Sequence, residues 1–161
     1  MILVSWFDTR KRAANIAAQV EKGSRLGLYR IIVADDHVLI RQGLKRILGE
    51  DSNLKIIGEA GDGLELLNLL KRIGLTPNMI ILDISMPNLS GIEATRQIKM
   101  IYPGIKILIL SMHKDQEYLS HAISAGADGY LLKGDSDREL FSAIEMIRQG
   151  KVYVSPLLSG K

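Results

Sequence analysis

The stretch Met79-Ile80-Ile81-Leu82-Asp83-Ile84-Ser85-Met86-Pro87 decides the fold of this chain. Its four leading apolar residues, with Pro87 and Gly91 beyond them, predict a short strand that is buried on both faces and ends in a loop. Asp83 falls at the carboxyl end of that strand. In open parallel α/β sheets, ligands and catalytic groups lie at the carboxyl ends of strands, near the reversal of strand order. We therefore interpret Asp83 as a functional carboxylate, with a simple turn cap as the alternative.

The rest of the chain alternates between strand and helix patterns around this stretch. Apolar runs that predict strands occupy residues 31–34, 54–60, 106–111 and 129–133. A helical spacing of apolar residues follows each strand, and capping-box sequences begin at Ser90 and Ser136, with a near match at Asp62. Right-handed crossovers place the helices on both faces of such a sheet. The pattern predicts a doubly wound α/β fold with five parallel strands and five helices. We expect the flavodoxin-like strand order 2-1-3-4-5, in which strands 1 and 3 are neighbours.

Composition excludes several classes of site and partner. The 161 residues contain no cysteine, which excludes disulfides, thiolate nucleophiles and cysteine-based metal sites. Residues 1–30 hold six basic against two acidic side chains, whereas the remainder holds fifteen against sixteen, so the net charge of +3 belongs to the leader. No apolar run is long enough to span a membrane. The sequence therefore predicts a cytoplasmic protein without membrane contact, in which residues 31–161 form no nucleic-acid surface.

Three segments follow from these patterns. Residues 1–28 are predicted to be a leader that is loosely helical or disordered, with a basic partner-binding arm as the alternative. Residues 29–150 are predicted to form the single domain. Residues 151–161 are interpreted as the start of a linker.

Polar residues collect where the predicted strands end. They are Asp35 and Asp36 after the first strand, Asp83 after the third, Ser111 after the fourth and Lys133 after the fifth. Two carboxylates about 4 Å apart repel by about 4 kcal/mol at an effective dielectric of about 20, so either their pKa values rise or a cation binds among them. Hard oxygen ligands favour Mg²⁺, for which Mn²⁺ can substitute.

A carboxylate nucleophile, a divalent ion and a lysine together indicate phosphoryl transfer to an aspartate. The ion and the ammonium group screen the phosphoryl oxygens that would otherwise repel Asp83. No separate base is needed, because a carboxylate is already ionised at neutral pH.

Four separated motifs resemble the receiver domains of two-component response regulators. They are Asp-Asp-His at 35–37, Leu-Asp-Ile-Ser-Met-Pro at 82–87, Ser111, and Gly-Tyr-Leu-Leu-Lys at 129–133. With the closing Gly-Lys-Val-Tyr-Val-Ser-Pro at 150–156, they are most similar to receivers that precede a LuxR-type helix-turn-helix domain. The resemblance covers about residues 29–150.

The resemblance implies a role for each site residue. Asp83 would be the phosphoacceptor, and Asp35, Asp36 and Asp83 would hold Mg²⁺ together with the backbone carbonyl of Ser85. Ser111 and Tyr130 would be the switch pair, and Lys133 would contact the phosphate.

Two histidines have weaker assignments. His113 and Ser85 are expected to flank the phosphoryl group and tune its hydrolysis, although an ordinary loop histidine is an equal alternative for His113. His37 is interpreted as a helix-start residue with ordinary hydrogen bonds, with a metal ligand as the alternative.

The resemblance also implies a function. The chain would be a phosphoacceptor switch, not an enzyme beyond its own phosphoryl transfer and dephosphorylation. Its expected partners are a sensor histidine kinase, a second copy on phosphorylation, and DNA only through an output domain absent from this chain. A stand-alone receiver that acts by protein contact is the alternative.

Two rival classes share parts of the pattern. A phosphohydrolase with an aspartate nucleophile usually has a second acid two residues later, where this chain has Ser85. A flavodoxin-like electron carrier would need a hydroxyl- and glycine-rich loop where this chain has Asp-Asp-His.

Overall fold

The computed structural model describes residues 27–159. The strands are β1 (Tyr29–Ala34), β2 (Leu54–Ala60), β3 (Met79–Asp83), β4 (Lys106–Ser111), β5 (Gly129–Leu132) and β6 (Tyr153–Val154). The helices are α1 (Val38–Leu48), α2 (Gly63–Arg72), α3 (Gly91–Ile101), α4 (Gln116–Ser124), α5 (Ser136–Arg148) and α6 (Pro156–Ser159), with a 3₁₀ turn at Lys133–Asp135. The leader was predicted over residues 1–28 as loosely helical or disordered, and its residues 1–26 lie outside the described residues.

All six strands run parallel in one sheet with the order β2-β1-β3-β4-β5-β6. The doubly wound α/β class and the order of the first five strands are as predicted, but the predicted count of five strands is wrong. Tyr153 and Val154, which the sequence assigned to a linker, pair with Gly129 and Tyr130 as a sixth strand. Two residues are too few to show a strand period, so this pairing depends on the edge that β5 exposes.

Alternating residues of each strand face opposite layers of helices. Ile32 of β1 and Ile80 of β3 pack in a core with α2, α3 and α4, whereas Val33 and Ile81 pack in a second core with α1 and α5. β3 is buried along its whole length. Both faces of the sheet are therefore covered, and only its edges and the strand ends reach solvent.

Two of the three predicted helix caps are present in the structure. Ser90 accepts a hydrogen bond from the Glu93 amide, and the Asp62 carboxylate accepts one from the Glu65 amide, as the capping motifs predict. Ser136 is not a cap. It is the first residue of α5, and its hydroxyl donates to the carbonyl of Lys133, because the 3₁₀ turn runs directly into the helix.

Five helices were predicted, and the sixth, α6, contains only four residues. No helix among residues 27–159 is long and apolar enough to cross a membrane.

Candidate functional site

Asp83 is fixed at the carboxyl end of β3 by a close approach of backbone. The Gly91 amide donates to the Ile84 carbonyl at 2.9 Å, which brings the start of α3 against the end of the strand. A Cβ at Gly91 would lie 2.0 Å from the backbone oxygen of Asp83, so only glycine fits there. The loop that carries Ser85 to Ser90 is therefore held close to the carboxylate.

Three carboxylates and one lysine converge beside this loop. Asp35 and Asp83 are 1% and 4% exposed, while Asp36 is more open at its edge of the group. Lys133 Nζ lies 2.9 Å from Asp35 Oδ2 and 3.3 Å from Asp83 Oδ1. Neighbouring β1 and β3 bring the acids together at the point where the strand order reverses, as the sequence predicts.

Burial and neighbouring charges shift the pKa values of Asp83 and Lys133. Desolvation raises the pKa of Asp83, the Asp35 charge raises it further, and Lys133 offsets only part of the rise. Burial alone would lower the pKa of Lys133, but its contacts with Asp35 and Asp83 raise it overall. The lysine therefore stays charged, and the site carries an excess of negative charge that one ammonium group does not balance.

The donor set fits a small divalent cation. Ligand atoms of Asp35, Asp36, His37 and Asp83 all lie within 4.8 Å of one another. The buried Asp83 Oδ2 has no hydrogen-bond partner among the described residues. A buried carboxylate oxygen without a partner is costly, and a hard cation such as Mg²⁺ would satisfy it.

His37 is a helix-start residue, as predicted, and it also contacts the acids. It is the residue before α1, and its Nδ1 is 3.1 Å from both Asp35 Oδ1 and Asp36 Oδ1. Its backbone amide also donates to Asp35 Oδ1 at 2.8 Å. The two contacts with Asp35 are hydrogen bonds of ordinary length, and they orient its carboxylate.

Ser111, His113 and Tyr130 form a connected group behind the acids. Ser111 Oγ accepts a hydrogen bond from the His113 amide at 3.0 Å, and Tyr130 Oη donates to the His113 carbonyl at 2.8 Å. Ser111 and Tyr130 are both fully buried. The structure therefore holds Tyr130 already inside the protein, and burial raises the pKa of its hydroxyl.

His113 also links this group to the phosphoacceptor loop. Its Nε2 lies 3.1 Å from Ser85 Oγ, and its ring stacks on Tyr118 of α4 with centroids 3.9 Å apart and planes inclined by 11°. From the sequence, a loop residue and a site residue were equal alternatives for His113. Its contacts bring it to the rim of the site.

Two residues near the site were not identified from the sequence. Arg41 of α1 donates to the backbone carbonyl of Asp35 and pairs with Glu59 at 3.3 Å. Ser155 is fully buried and accepts a hydrogen bond from the Leu132 amide, one residue before Lys133. No motif marks Arg41, and the closing motif at 150–156 that contains Ser155 was assigned to a linker. Both residues act through backbone groups whose positions only the fold defines.

The doubly wound fold and the acid–lysine cluster at its strand ends define an α/β domain with a charged candidate site at the carboxyl edge of its sheet. The chain belongs to the response regulator receiver domain family, whose profile matches residues 31–145. The resemblance inferred from the four motifs is thus confirmed.

Curated relatives of the chain are regulators. DegU of Brevibacillus brevis, a transcriptional regulatory protein, is 38% identical over 78% of this chain and 52% of its own length. The oxygen regulatory protein NreC of Staphylococcus epidermidis is 40% identical over 81% of this chain and 59% of its own length. The chain thus spans between half and three fifths of the length of these relatives.

Solved structures agree with the fold. A LuxR-family response regulator from Aurantimonas sp. superposes with a TM-score of 0.78 at 34% identity, covering 83% of this chain and 94% of that one. The isolated receiver domain of RcsB from Salmonella enterica, solved with the phosphate mimic BeF₃⁻, gives a TM-score of 0.75 at 27% identity, covering 82% and 96%.

Proposed function

We propose that this chain is a phosphorylation-activated switch that accepts a phosphoryl group on Asp83 from a sensor histidine kinase. The observation that carries the proposal is the buried, unpartnered Asp83 Oδ2 beside Lys133. A carboxylate oxygen attacks phosphorus, the bond from phosphorus to the donor nitrogen breaks, and the nitrogen keeps the electron pair. The product is an aspartyl phosphate, which water later hydrolyses to aspartate and inorganic phosphate.

The residues around Asp83 would divide the work as the resemblance implies. Lys133 screens the phosphoryl oxygens, since its ammonium group already lies between Asp35 and Asp83. Asp35, Asp36, Asp83 and the carbonyl of Ser85 would hold Mg²⁺, or Mn²⁺ in its place. When bound, the ion supplies positive charge that reduces the repulsion between the carboxylates and the incoming phosphoryl group.

Ser111 and Tyr130 would carry the change of state away from the site. A phosphoryl oxygen accepts a hydrogen bond from the Ser111 hydroxyl, which would favour the packing in which Tyr130 is buried. The population shifts only as far as the phosphoryl group prefers that packing. Ser85 and His113 would tune the lifetime of the aspartyl phosphate, because they are in contact at 3.1 Å and both are expected to flank the phosphoryl group.

We further propose that the switch regulates transcription in the cytoplasm through a DNA-binding output domain. The names of the relatives support this role, and one solved relative, RcsB, is described as dimers bound to DNA. Homodimerisation on phosphorylation belongs to the same proposal.

Acetyl phosphate with Mg²⁺ tests the proposed class. A receiver gains one stable phosphoryl group by intact mass and then loses it slowly. A phosphohydrolase would turn over added phosphate monoesters without a lasting adduct, and an electron carrier would do neither and would bind flavin. Multiple turnover of monoesters, or no adduct at any Mg²⁺ concentration, would overturn the proposal.

A further inference from the structure

The residues that follow α5 return to the sheet and lie along β5. We call residues Tyr153–Leu158 the C-terminal segment. The Ser155 amide donates to the Tyr130 carbonyl at 2.9 Å, and Ser155 Oγ accepts from the Leu132 amide at 2.8 Å. The side chain of Ser155 thus continues the β5–β6 hydrogen bonding to the residue that directly precedes Lys133.

The end of the segment is anchored on α4. Leu158 is 7% exposed and lies in the same core as Tyr130 and Leu132. Its carbonyl accepts a hydrogen bond from Gln116 Nε2 at 3.0 Å, at the first turn of α4. The adjacent Leu157 is 66% exposed, so only one of the two leucines packs against the domain.

The elements that hold the segment are those that carry the switch group. Tyr130 bonds to His113 through its hydroxyl and to Ser155 through its carbonyl, so one residue joins the site to the segment. Tyr118 of α4 stacks on the His113 ring, two residues after the anchor Gln116. A change in the packing of His113 or Tyr130 must therefore change the surface on which the segment lies.

We propose that the C-terminal segment is a working part of the switch: its docking on β5 and α4 is coupled to occupation of the phosphate site, with Ser155 as a positioning residue for Lys133. The inference rests on the proposed phosphorylation of Asp83. Because the segment is docked in the packing that buries Tyr130, an anion at the site that favours this packing strengthens the docking. Linkage requires the reverse effect too, so the docked segment strengthens anion binding.

Beryllofluoride, the phosphate mimic used with the RcsB receiver, is the probe for the forward effect. Amide exchange is measured by NMR on the full chain with Mg²⁺, in the presence and absence of beryllofluoride. The amides of Ser155 and Leu132 are expected to exchange at least about five-fold more slowly when the anion is bound. Unchanged exchange at both amides, with the anion bound, would overturn the coupling.

Leu158→Ala and its neighbour Leu157→Ala form a matched pair for the reverse effect. Calorimetric titration of beryllofluoride with Mg²⁺ present should show an affinity at least about five-fold weaker for Leu158→Ala and unchanged for Leu157→Ala. Gln116→Ala removes only a hydrogen bond from an exposed side chain, so it carries the test even if Leu158→Ala fails to fold.

Titration of Mg²⁺ alone shows whether Ser155 positions Lys133 or only stabilises the fold. Ser155→Ala should weaken beryllofluoride binding, because it frees the strand end before Lys133, and leave the Mg²⁺ affinity unchanged, because the acids lie on other strands. Equal loss of both affinities would mean that Ser155 is merely structural. Wild-type protein that binds no beryllofluoride would overturn the proposed function, whereas wild-type binding with unaffected variants would overturn this inference alone.

Discussion

The two ends of the same parallel sheet treat charge in opposite ways. At the amino end, one acid serves two lysines: Asp128 lies 2.7 Å from Lys99 Nζ and 3.7 Å from Lys106 Nζ, and also accepts from the Ile107 amide at 2.8 Å. At the carboxyl end, Lys133 faces more than one acid, and the buried Asp83 keeps an oxygen without a hydrogen-bond partner among residues 27–159.

The difference shows which end serves stability. At the amino end, hydrogen bonds and opposite charges offset the cost of partial burial, so each partner contributes to folding. At the carboxyl end, burial and like charge raise the pKa of Asp83, so the ionised group costs stability. Uncompensated negative charge in a buried site attracts a divalent cation, and that cation would reduce the repulsion between the carboxylates and an incoming phosphoryl group.

The largest expected effect is at the amino end. Asp128→Ala leaves the Ile107 amide without its side-chain acceptor and Lys99 without its carboxylate partner, although Lys99 still donates to the Ile105 carbonyl. It should lower the free energy of unfolding by about 3 kcal/mol. Asp128→Asn is the matched control, because its carbonyl oxygen can still accept from the Ile107 amide, and it should cost less. Urea denaturation measures both, and a negligible loss for Asp128→Ala would remove the contrast between the two ends.

Asp83→Asn should raise the free energy of unfolding, the opposite of Asp128→Ala, and by a smaller amount. Removing the charge relieves repulsion by Asp35, while Lys133 keeps its contact with Asp35, so at pH 7 without metal the variant should be more stable by about 1 kcal/mol. Because the folded-state pKa of Asp83 is raised, wild type regains this stability as pH falls through that raised pKa toward the ordinary value of about 3.9. The gap between the two proteins should therefore close on acidification.

The matching measurement is urea denaturation of both proteins from pH 7 to pH 4. A variant that is less stable than wild type at pH 7 would contradict the electrostatic account, as would a gap that widens toward pH 4.

Mg²⁺ bound among the three carboxylates should balance their charge and so stabilise the carboxyl end of the sheet. At ten times its dissociation constant, the ion stabilises the folded protein by about 1.4 kcal/mol through mass action, which thermal denaturation detects as a higher Tm. Asp36→Ala removes a ligand that is already partly exposed and should abolish most of the shift, whereas the exposed Asp137→Ala on α5 should keep it. An unchanged rise in Tm for Asp36→Ala would show that the metal binds elsewhere.

The smallest effect on the site itself is expected from Ser111→Ala. The hydroxyl accepts from the His113 amide and is not part of the acid cluster, so the variant should still take up phosphate. NMR amide shifts of residues 113–132 should, however, change much less on phosphorylation than in wild type. Shifts as large as those of wild type would show that another group couples the site to α4 and β5.

Much of this architecture could be predicted from the sequence, because β3 and β4 are apolar runs and four of the five predicted strands are followed by a distinctive polar residue. The acid cluster followed from the rule that parallel strands end at one edge. The strand β6 could not be predicted in this way, since Tyr153 and Val154 form no pattern alone and their pairing depends on the free edge of β5.

The unidentified contacts share a physical reason. Ser155 and Arg41 bond to backbone groups, and nothing in a side-chain pattern marks a backbone partner. The buried position of Tyr130 likewise depends on the space between β5 and α4, which the residue types alone do not define.

Uptake of phosphate by Asp83 is the central claim, and the mass of the intact protein tests it directly. After incubation with acetyl phosphate and Mg²⁺, wild type and the surface control Asp137→Asn should each gain one phosphoryl group, and Asp83→Asn should gain none. The asparagine is nearly isosteric, so a folded variant without the adduct reports on the nucleophile alone. An adduct on Asp83→Asn equal to that of wild type would contradict the account.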